Sequence, residues 1–520
     1  MQPVANKPGH SSRVLRLTAK AFVLLSGLSI MSAGLWAQPP ASASWPPPRH
    51  FDYNYAHEAR RAAEFDLDHL DAGTLRDIFA ERRRRVLQAI PGGAMLIFSV
   101  ERAQPRRLEF QVPNSENHDF MYLTGLEGLD SYDSALLLLP SAEKNWIVLY
   151  TSGDPAEMKQ ATGIEEVKPL AKLEEDLSVA LTDYRDWRIT QIRRWPLPAA
   201  LAKAWGRDHK VLYVNYPRFL RLGMPEPPRL EFFERMRRFS SELEMRDSAD
   251  ILDPVRMLHD AYDLACIRRA VQITGEGIVE GLRAAKPGRT ETQIMEIMDF
   301  VYRYRGATLG FPTEVQETPL PPAPPAKEIP EGFIDFVPRS QAVFIRPGGV
   351  VHVDTGASFR DHSADIQRHV PVDGQFTDEQ RRLYEIALNV QKTVISRIKP
   401  GVYWWELHNL AVQMLRDAGG YDKYYTYGIG HFIGMEVHDE GDYEQPLQPG
   451  MAMAIEQGVM PPGGTRIAFE DDVIVTDTGH DWISQNIPME LSDVEHMARE
   501  KSRFESFAGK EPLSLAPEGP

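Results

Sequence analysis

The sequence predicts a mixed α/β (α+β) protein with two folded parts. Three observations point there. Continuous apolar runs at 94–100, 134–140, 146–150 and 210–216 have the length and composition of strands covered on both faces. Stretches with helical patterning lie between and after them. Beyond residue 350, short β-branched or apolar runs carry an acid inside or at the end: Val-His-Val-Asp354-Thr-Gly, Ser-Ala-Asp365-Ile, Ala-Ile-Glu456-Gln-Gly and Ala-Phe-Glu470-Asp-Asp-Val.

Taken in order, the chain opens on a targeting pattern. Lys7, Arg13, Arg16 and Lys20 precede an apolar run from 21 to 37, and small residues offer cleavage after Ala37 or Ala43. This predicts export, to a periplasm or to the medium, with no membrane attachment after cleavage. No later segment has the length and apolarity of a span. Removal of the signal takes the formal charge from −16 to −20, which disfavours nucleic acid as a partner. Cys266 is the only cysteine, so no internal disulfide framework exists. Residues 38–64, rich in proline at their start, read as a linker.

Residues 65–252 read as the first α/β domain. The pattern over 70–90 is helical, and its Arg82–Arg85 run reads as a solvated helix face. Residues 120–125, Phe-Met-Tyr-Leu-Thr-Gly, read as a strand ending in a glycine turn.

The second domain, 253–495, opens near Asp253-Pro254. Leu264, Ile267, Val271, Ile278 and Leu282 keep helical spacing, and a further helix is predicted over 291–304. Cys266 reads as a buried, inert thiol. The proline-dense stretch 312–341 reads as an insertion, a surface loop placed where it also has the option of folding over the site or a neighbouring subunit. Thr377-Asp-Glu-Gln380 is a capping box, followed by an apolar face at Leu383, Ile386, Val390, Val394 and Ile398. Another helix spans 404–417, and 496–520 reads as a polar tail.

Acids embedded in apolar strands are costly to bury unless paired or bound to metal. Several of them with His431 in Gly-His431-Phe-Ile-Gly-Met-Glu-Val-His438 ask for a shared cation. Carboxylates with one imidazole and no thiolate suit Mn, Co, Zn or Fe and argue against a structural zinc site. Two metals about 3.5–4 Å apart, sharing bridging carboxylates, account for so many converging acids.

In order and spacing, these motifs resemble the superfamily of aminopeptidase P, prolidase and methionine aminopeptidase, the M24 metallopeptidases, with the aminopeptidase P and prolidase branch nearest. The resemblance rests on Arg-Arg-Arg-Val-Leu-Gln-Ala-Ile-Pro-Gly-Gly, His118-Asp-Phe-Met-Tyr-Leu-Thr-Gly125, Arg269-Ala with Lys286-Pro-Gly, Asp354-Thr-Gly, Asp365-Ile-Gln-Arg368, Gly374-Gln-Phe-Thr, Gly430-His431 with Val437-His438-Asp439, and Glu470-Asp-Asp-Val. It implies a pita-bread catalytic domain preceded by a creatinase-like N-terminal domain, and a homodimer or larger assembly. It also implies two divalent metals, manganese foremost, on Asp354, Asp365, His431, Glu456 and Glu470, with Asp365 and Glu470 bridging. Glu456 would accept a proton from the metal-activated water, and His438 would steady the tetrahedral intermediate. The implied reaction is hydrolysis of a peptide's N-terminal bond by metal-bound hydroxide, Xaa-Pro foremost. Prolidase action on Xaa-Pro dipeptides, and peptide binding without turnover, are the alternatives.

Several positions depart from the family's pattern. Tyr427-Gly stands where His-Gly is usual, which makes Tyr427 a candidate substrate contact. Gln367, Gln457 and Ala468 replace the usual Thr or Ser, Pro and Arg, and no histidine lies between Arg305 and Val351. Asp439, Asp471 and Asp472 read as solvated or as supports behind the ligands, and His352 and His362 as strand residues.

Overall fold

The computed structural model describes residues 53–99, 118–127, 132–181, 196–205, 210–216, 228–318, 343–425, 427–461 and 464–504. The predicted signal, the start of the linker and most of the tail lie outside them, as does 319–341 of the predicted insertion. No helix among the described residues is long and apolar enough to cross a membrane.

The N-terminal part is built on β1 (Ala94–Phe98), β2 (Ser134–Leu139), β3 (Trp146–Thr151), β4 (Glu166–Pro169), β5 (Lys210–Val214) and β6 (Leu243–Asp247). They form one mixed sheet in the order β4-β3-β2-β1-β5-β6. Continuous apolar runs occur here because both faces are covered. Met95 and Ile97 enter one core with Val86, Phe120 and Leu123, while Ala94, Leu96 and Phe98 enter another with Leu177, Leu201 and Phe233.

The helix Ala72–Ala89 begins at Asp71, whose carboxylate accepts from the Gly73 and Thr74 amides. Its arginines correct the reading of a solvated face. Arg82 and Arg83 are 1% and 2% exposed. Arg82 donates to Asp260 at 2.7 Å and to Asp263, and its guanidinium lies 4.4 Å from the Tyr122 ring centroid. Arg83 donates to the Leu123 and Thr162 carbonyls. A second correction concerns 120–125: the helix His118–Thr124 replaces the expected strand. A short, wholly apolar run carries no period that separates a buried strand from a buried helix. Gly125, at φ +70°, ends that helix against the Phe79 ring, where a Cβ would lie 2.3 Å away.

The second part contains a small sheet of β7 (Thr308–Leu309), β10 (Ala357–Phe359) and β11 (His362–Ser363), and a larger antiparallel sheet of β8 (Glu314–Thr318), β9 (Val350–Thr355), β12 (Ile366–Pro371), β13 (Gly430–Phe432), β14 (Ala452–Val459), β15 (Ile467–Val475) and β16 (His480–Trp482), ordered β13-β14-β15-β12-β9-β8 with β16 on β15. The expected helices appear as Ala261–Ala284, Glu291–Tyr304, Asp378–Ile395 and Trp404–Asp417. They share a core with one face of the sheet, through Val351, Val353, Phe469 and Val473. Cys266 is buried in the first of them. β8 corrects the start of the predicted insertion: 314–318 pair with β9 as the sheet's edge. Its polar composition, Glu-Val-Gln-Glu-Thr, hides a strand that is buried on one side only.

Arg256 ties the two parts together. It donates to Asp119 at 2.7 Å and to Asp439, and all three side chains are buried. His118 meets Glu436 at 2.8 Å beside it. Removing one partner of such a network leaves buried charges uncompensated. The substitution Arg82→Ala, which removes the guanidinium shared by Asp260 and the buried Asp263, is expected to cost on the order of 3–5 kcal/mol of stability. Urea unfolding checks this, and an unchanged midpoint would contradict it.

Candidate metal centre

The face of the catalytic sheet opposite Val351, Val353, Phe469 and Val473 carries the acids. Register places Glu456 opposite Glu470, Glu470 opposite Gln367, Gln367 opposite Asp354 and Asp354 opposite Glu314, one row across five strands. Asp365 precedes β12, and its amide is held by Asp472 at 3.1 Å. His431 comes from β13. Its position depends on Gly430, which has φ +144° and packs so closely that a Cβ would lie 1.9 Å from the Ala454 carbonyl.

Three overlapping groups result: Asp354, Asp365 and Glu470; His431, Glu456 and Glu470; and Asp365, His431 and His438. Within each, one donor atom per residue lies within 4.8 Å of the others. Glu470 joins the Asp354 group to the Glu456 group, and Asp365 joins the Asp354 group to the His438 group, as ligands shared between two neighbouring cations would. His431 Nε2 stands 3.4 Å from Asp365 and 3.3 Å from Glu470. Its Nδ1 faces the Phe432 carbonyl at 3.2 Å, which turns Nε2 toward the acids. Asp365 Oδ1 is buried with no protein hydrogen-bond partner, as a cation ligand would be.

Electrostatics make the same point. Burial, then the Glu470 charge, pushes Asp354 and Asp365 well above the usual carboxylate range. Burial and Glu470 lift Glu456 to about 8. Burial alone would depress His431, but hydrogen bonds to Asp365 and Glu470 hold it well above its ordinary value. Without cations the site therefore retains protons that divalent ions would displace. The donor set, carboxylate oxygens and one imidazole in a closed cluster, fits such ions.

His438 stands over this cluster, exposed in the cleft, with its ring centroid 4.1 Å from that of His431. Desolvation and the neighbouring His431 push it down to about 4, so it is a neutral imidazole near pH 7. Asp439, beside it, is buried against Arg256 and accepts from the Met435 amide at 3.0 Å. Gly434 makes room, since a Cβ there would lie 2.0 Å from the Asp439 carboxylate.

The sequence reading left the residues behind the ligands unresolved between solvent and support. Asp471 is fully buried on the helix-facing side, bonded to Arg368 at 2.6 Å, Ser484 and Gln391. Asp472 is fully buried on the ligand side. Neither is solvated. Gln367 donates to Glu470 at 2.7 Å. Arg256, Ser484 and Gln391 were not singled out from the sequence. Only the unbroken β15 pattern, in which a solvated acid pair is out of place, signalled that Asp471 and Asp472 need buried partners.

Four carboxylates and a histidine gathered on one sheet face are the donor set of a carboxylate-ligated metalloenzyme. The sequence profile of metallopeptidase family M24 matches residues 265–477, and that of the aminopeptidase P N-terminal domain matches 79–188. The chain belongs to the aminopeptidase P branch of family M24. It is 24% identical over 462 residues to an Xaa-Pro aminopeptidase of Haemophilus influenzae, covering 81% of this chain and 96% of that one. It is 27% identical over 291 residues to Xaa-Pro aminopeptidase 3 of Rattus norvegicus, covering 51% and 55%. The fold matches that of Escherichia coli aminopeptidase P with the inhibitor Pro-Leu, with a TM-score of 0.62 at 20% identity over 81% and 98% of the two chains. The two-part architecture expected of this family is thus present.

The raised acids give a signed pH dependence. A group whose pKa is raised on folding contributes stability at low pH that is lost as pH rises through its folded value. Asp354, Asp365, Glu456 and His431 all act in this sense, and above about pH 6.5 the depressed His438 no longer opposes them. The Tm of metal-free protein is expected to fall from about pH 6.5 to 8.5 while that of manganese-loaded protein holds, so that the gap widens. A gap that narrows over this range would contradict the assignment.

Proposed function

We propose that this protein is a metal-dependent exopeptidase that hydrolyses the N-terminal bond of peptides, Xaa-Pro bonds foremost. The observation that carries the reading is the convergence of Asp354, Asp365, His431, Glu456 and Glu470 on one sheet face. Asp354, Asp365 and Glu470 would hold one cation, and Asp365, Glu470, His431 and Glu456 the other, with manganese the preferred metal. Bound divalent cations would lower the pKa of water and polarise the scissile carbonyl. Glu456, at the open edge of the cluster, is placed to accept a proton there. His438, neutral and held by the Arg256–Asp439 anchor of its loop, is placed to donate a hydrogen bond to charge developing on the substrate oxygen.

The basic and apolar opening of the sequence supports export to the periplasm or medium. A homodimer or larger assembly is part of the same reading, supported by the exposed Phe239, Phe300, Tyr304 and Phe344.

The test is release of N-terminal amino acids from Xaa-Pro dipeptides, Xaa-Pro-Yaa tripeptides and matched peptides lacking proline, with manganese and with chelator. Chelator-sensitive cleavage of tripeptides is expected. Cleavage of dipeptides alone would indicate prolidase action, and no cleavage by metal-loaded protein would leave a peptide-binding protein. His438→Ala is expected to lower kcat by about 10²–10⁴-fold with unchanged metal content. Unchanged kcat would remove His438 from the chemistry.

A further inference from the structure

One buried carboxylate outside the ligand set is shared by the two segments that deliver Asp365 and His431. Asp263 lies in the first turn of the helix Ala261–Ala284 and is 2% exposed. His362 Nε2 stands 2.7 Å from its Oδ1, and His259 Nδ1 stands 3.7 Å from its Oδ2. Both histidines are buried.

The bonds define the charge states. Arg82 donates to Asp263 Oδ1, and the Asp260 amide donates to Oδ2 at 3.2 Å, so both oxygens accept. Burial would raise Asp263, but the Arg82 charge and the two histidines hold it well below the usual carboxylate range. His362 Nδ1 faces the Arg360 carbonyl at 2.7 Å, and a carbonyl also only accepts. Both ring nitrogens of His362 therefore donate, which makes the side chain an imidazolium. The buried charges then balance, Arg82 and His362 against Asp260 and Asp263.

The cluster reaches the metal ligands along the backbone. His362 precedes Asp365 by three residues, in the hairpin of β10 and β11. The two-residue turn of that hairpin, Arg360-Asp361, has φ +50° and +57°, a conformation that Asn-Gly usually fills. Contacts from outside hold it there. The Arg360 guanidinium donates to the Leu67 carbonyl at 2.8 Å, and the Arg360 carbonyl accepts from His362. On the other side, His259 Nε2 donates to the Ile433 carbonyl at 3.0 Å, two residues past His431. Gly434 packs on His259 so closely that a Cβ would lie 2.8 Å from Cε1. The Ser363 amide donates to the Gly434 carbonyl at 2.8 Å and joins the two segments directly. Asp365 and His431, which these segments carry, meet at 3.4 Å.

We infer that His362 and His259 are positioning residues of the metal centre, which set the separation of Asp365 from His431 through Asp263 and the Arg82 of the N-terminal part. Neither is a ligand. The inference rests on the metal-centre reading and adds to it a dependence on a cluster shared with the N-terminal domain. A cation held between Asp365 and His431 is bound less tightly when the cluster is opened, even where the protein stays folded.

The test is manganese binding by titration calorimetry, with the Tm of each variant read without manganese and with a fixed excess of it. His362→Phe keeps a ring and removes the charge and both bonds, whereas His362→Gln keeps a donor. His259→Leu removes the bond to the Ile433 carbonyl, whereas His259→Gln keeps a donor for it. His362→Phe and His259→Leu are each expected to weaken manganese binding about tenfold, as loss of residues that orient metal ligands does. The glutamine variants should lie nearer the wild type. Leu212→Ala, in the N-terminal core away from the cluster, is the control for lost stability alone. Its Tm should fall while its manganese affinity stays unchanged. The Tm gain given by manganese should shrink in His362→Phe and His259→Leu and not in Leu212→Ala. Should His362→Phe fail to fold, the two His259 variants decide the matter.

A lowered Tm with wild-type manganese affinity in His362→Phe and His259→Leu would overturn the inference. So would an equal loss of affinity in Leu212→Ala, or no recovery in the glutamine variants. Wild-type protein that binds no manganese defeats the metal centre and this inference with it. Wild-type binding that the variants leave intact defeats the positioning role alone.

Discussion

Mutual repulsion among buried carboxylates is the constraint on which this structure turns. Asp354, Asp365, Glu456 and Glu470 occupy one patch of a sheet whose other face is an apolar core. Like charges so placed cannot all ionise unless cations enter among them. The sheet supplies rigidity, since each acid sits in or beside a paired strand rather than on a free loop. The family's chemistry then follows from the ions this patch is built to hold, and the protein's task is to keep the ligands from relaxing apart.

That task reaches far from the patch. Asp471, Arg368 and Gln391 pin β15 to β12 and to the helix behind them. Arg256 binds Asp119 of the N-terminal part and Asp439 of the loop carrying His438. The N-terminal domain is therefore a structural support of the catalytic domain as well as a separate fold, attached through its His118-Asp119 pair and through Arg82 on Asp260 and Asp263.

Much of this was legible in the sequence, for identifiable reasons. An acid inside a β-branched run contradicts its own surroundings, and that contradiction marked Asp354, Glu456 and Glu470. Helices with caps and a 3.6-residue period, such as Asp378–Ile395, declared themselves. What was missed depends on distant partners. Arg82 and Arg83 read as a solvated charge run because their acceptors lie 40 to 181 residues away in sequence. The helix His118–Thr124 was taken for a strand because a wholly buried element shows no amphipathic period. The polar strand β8 looked like loop because a sheet edge needs little apolar surface.

The most direct measurement is an anomalous difference map from crystals of the protein grown with manganese. The account predicts two peaks about 3.5–4 Å apart, bridged by Asp365 and Glu470, with His431 and Glu456 on one and Asp354 on the other. A folded protein with no peak among these residues, or with the carboxylates splayed apart and protonated, would contradict it.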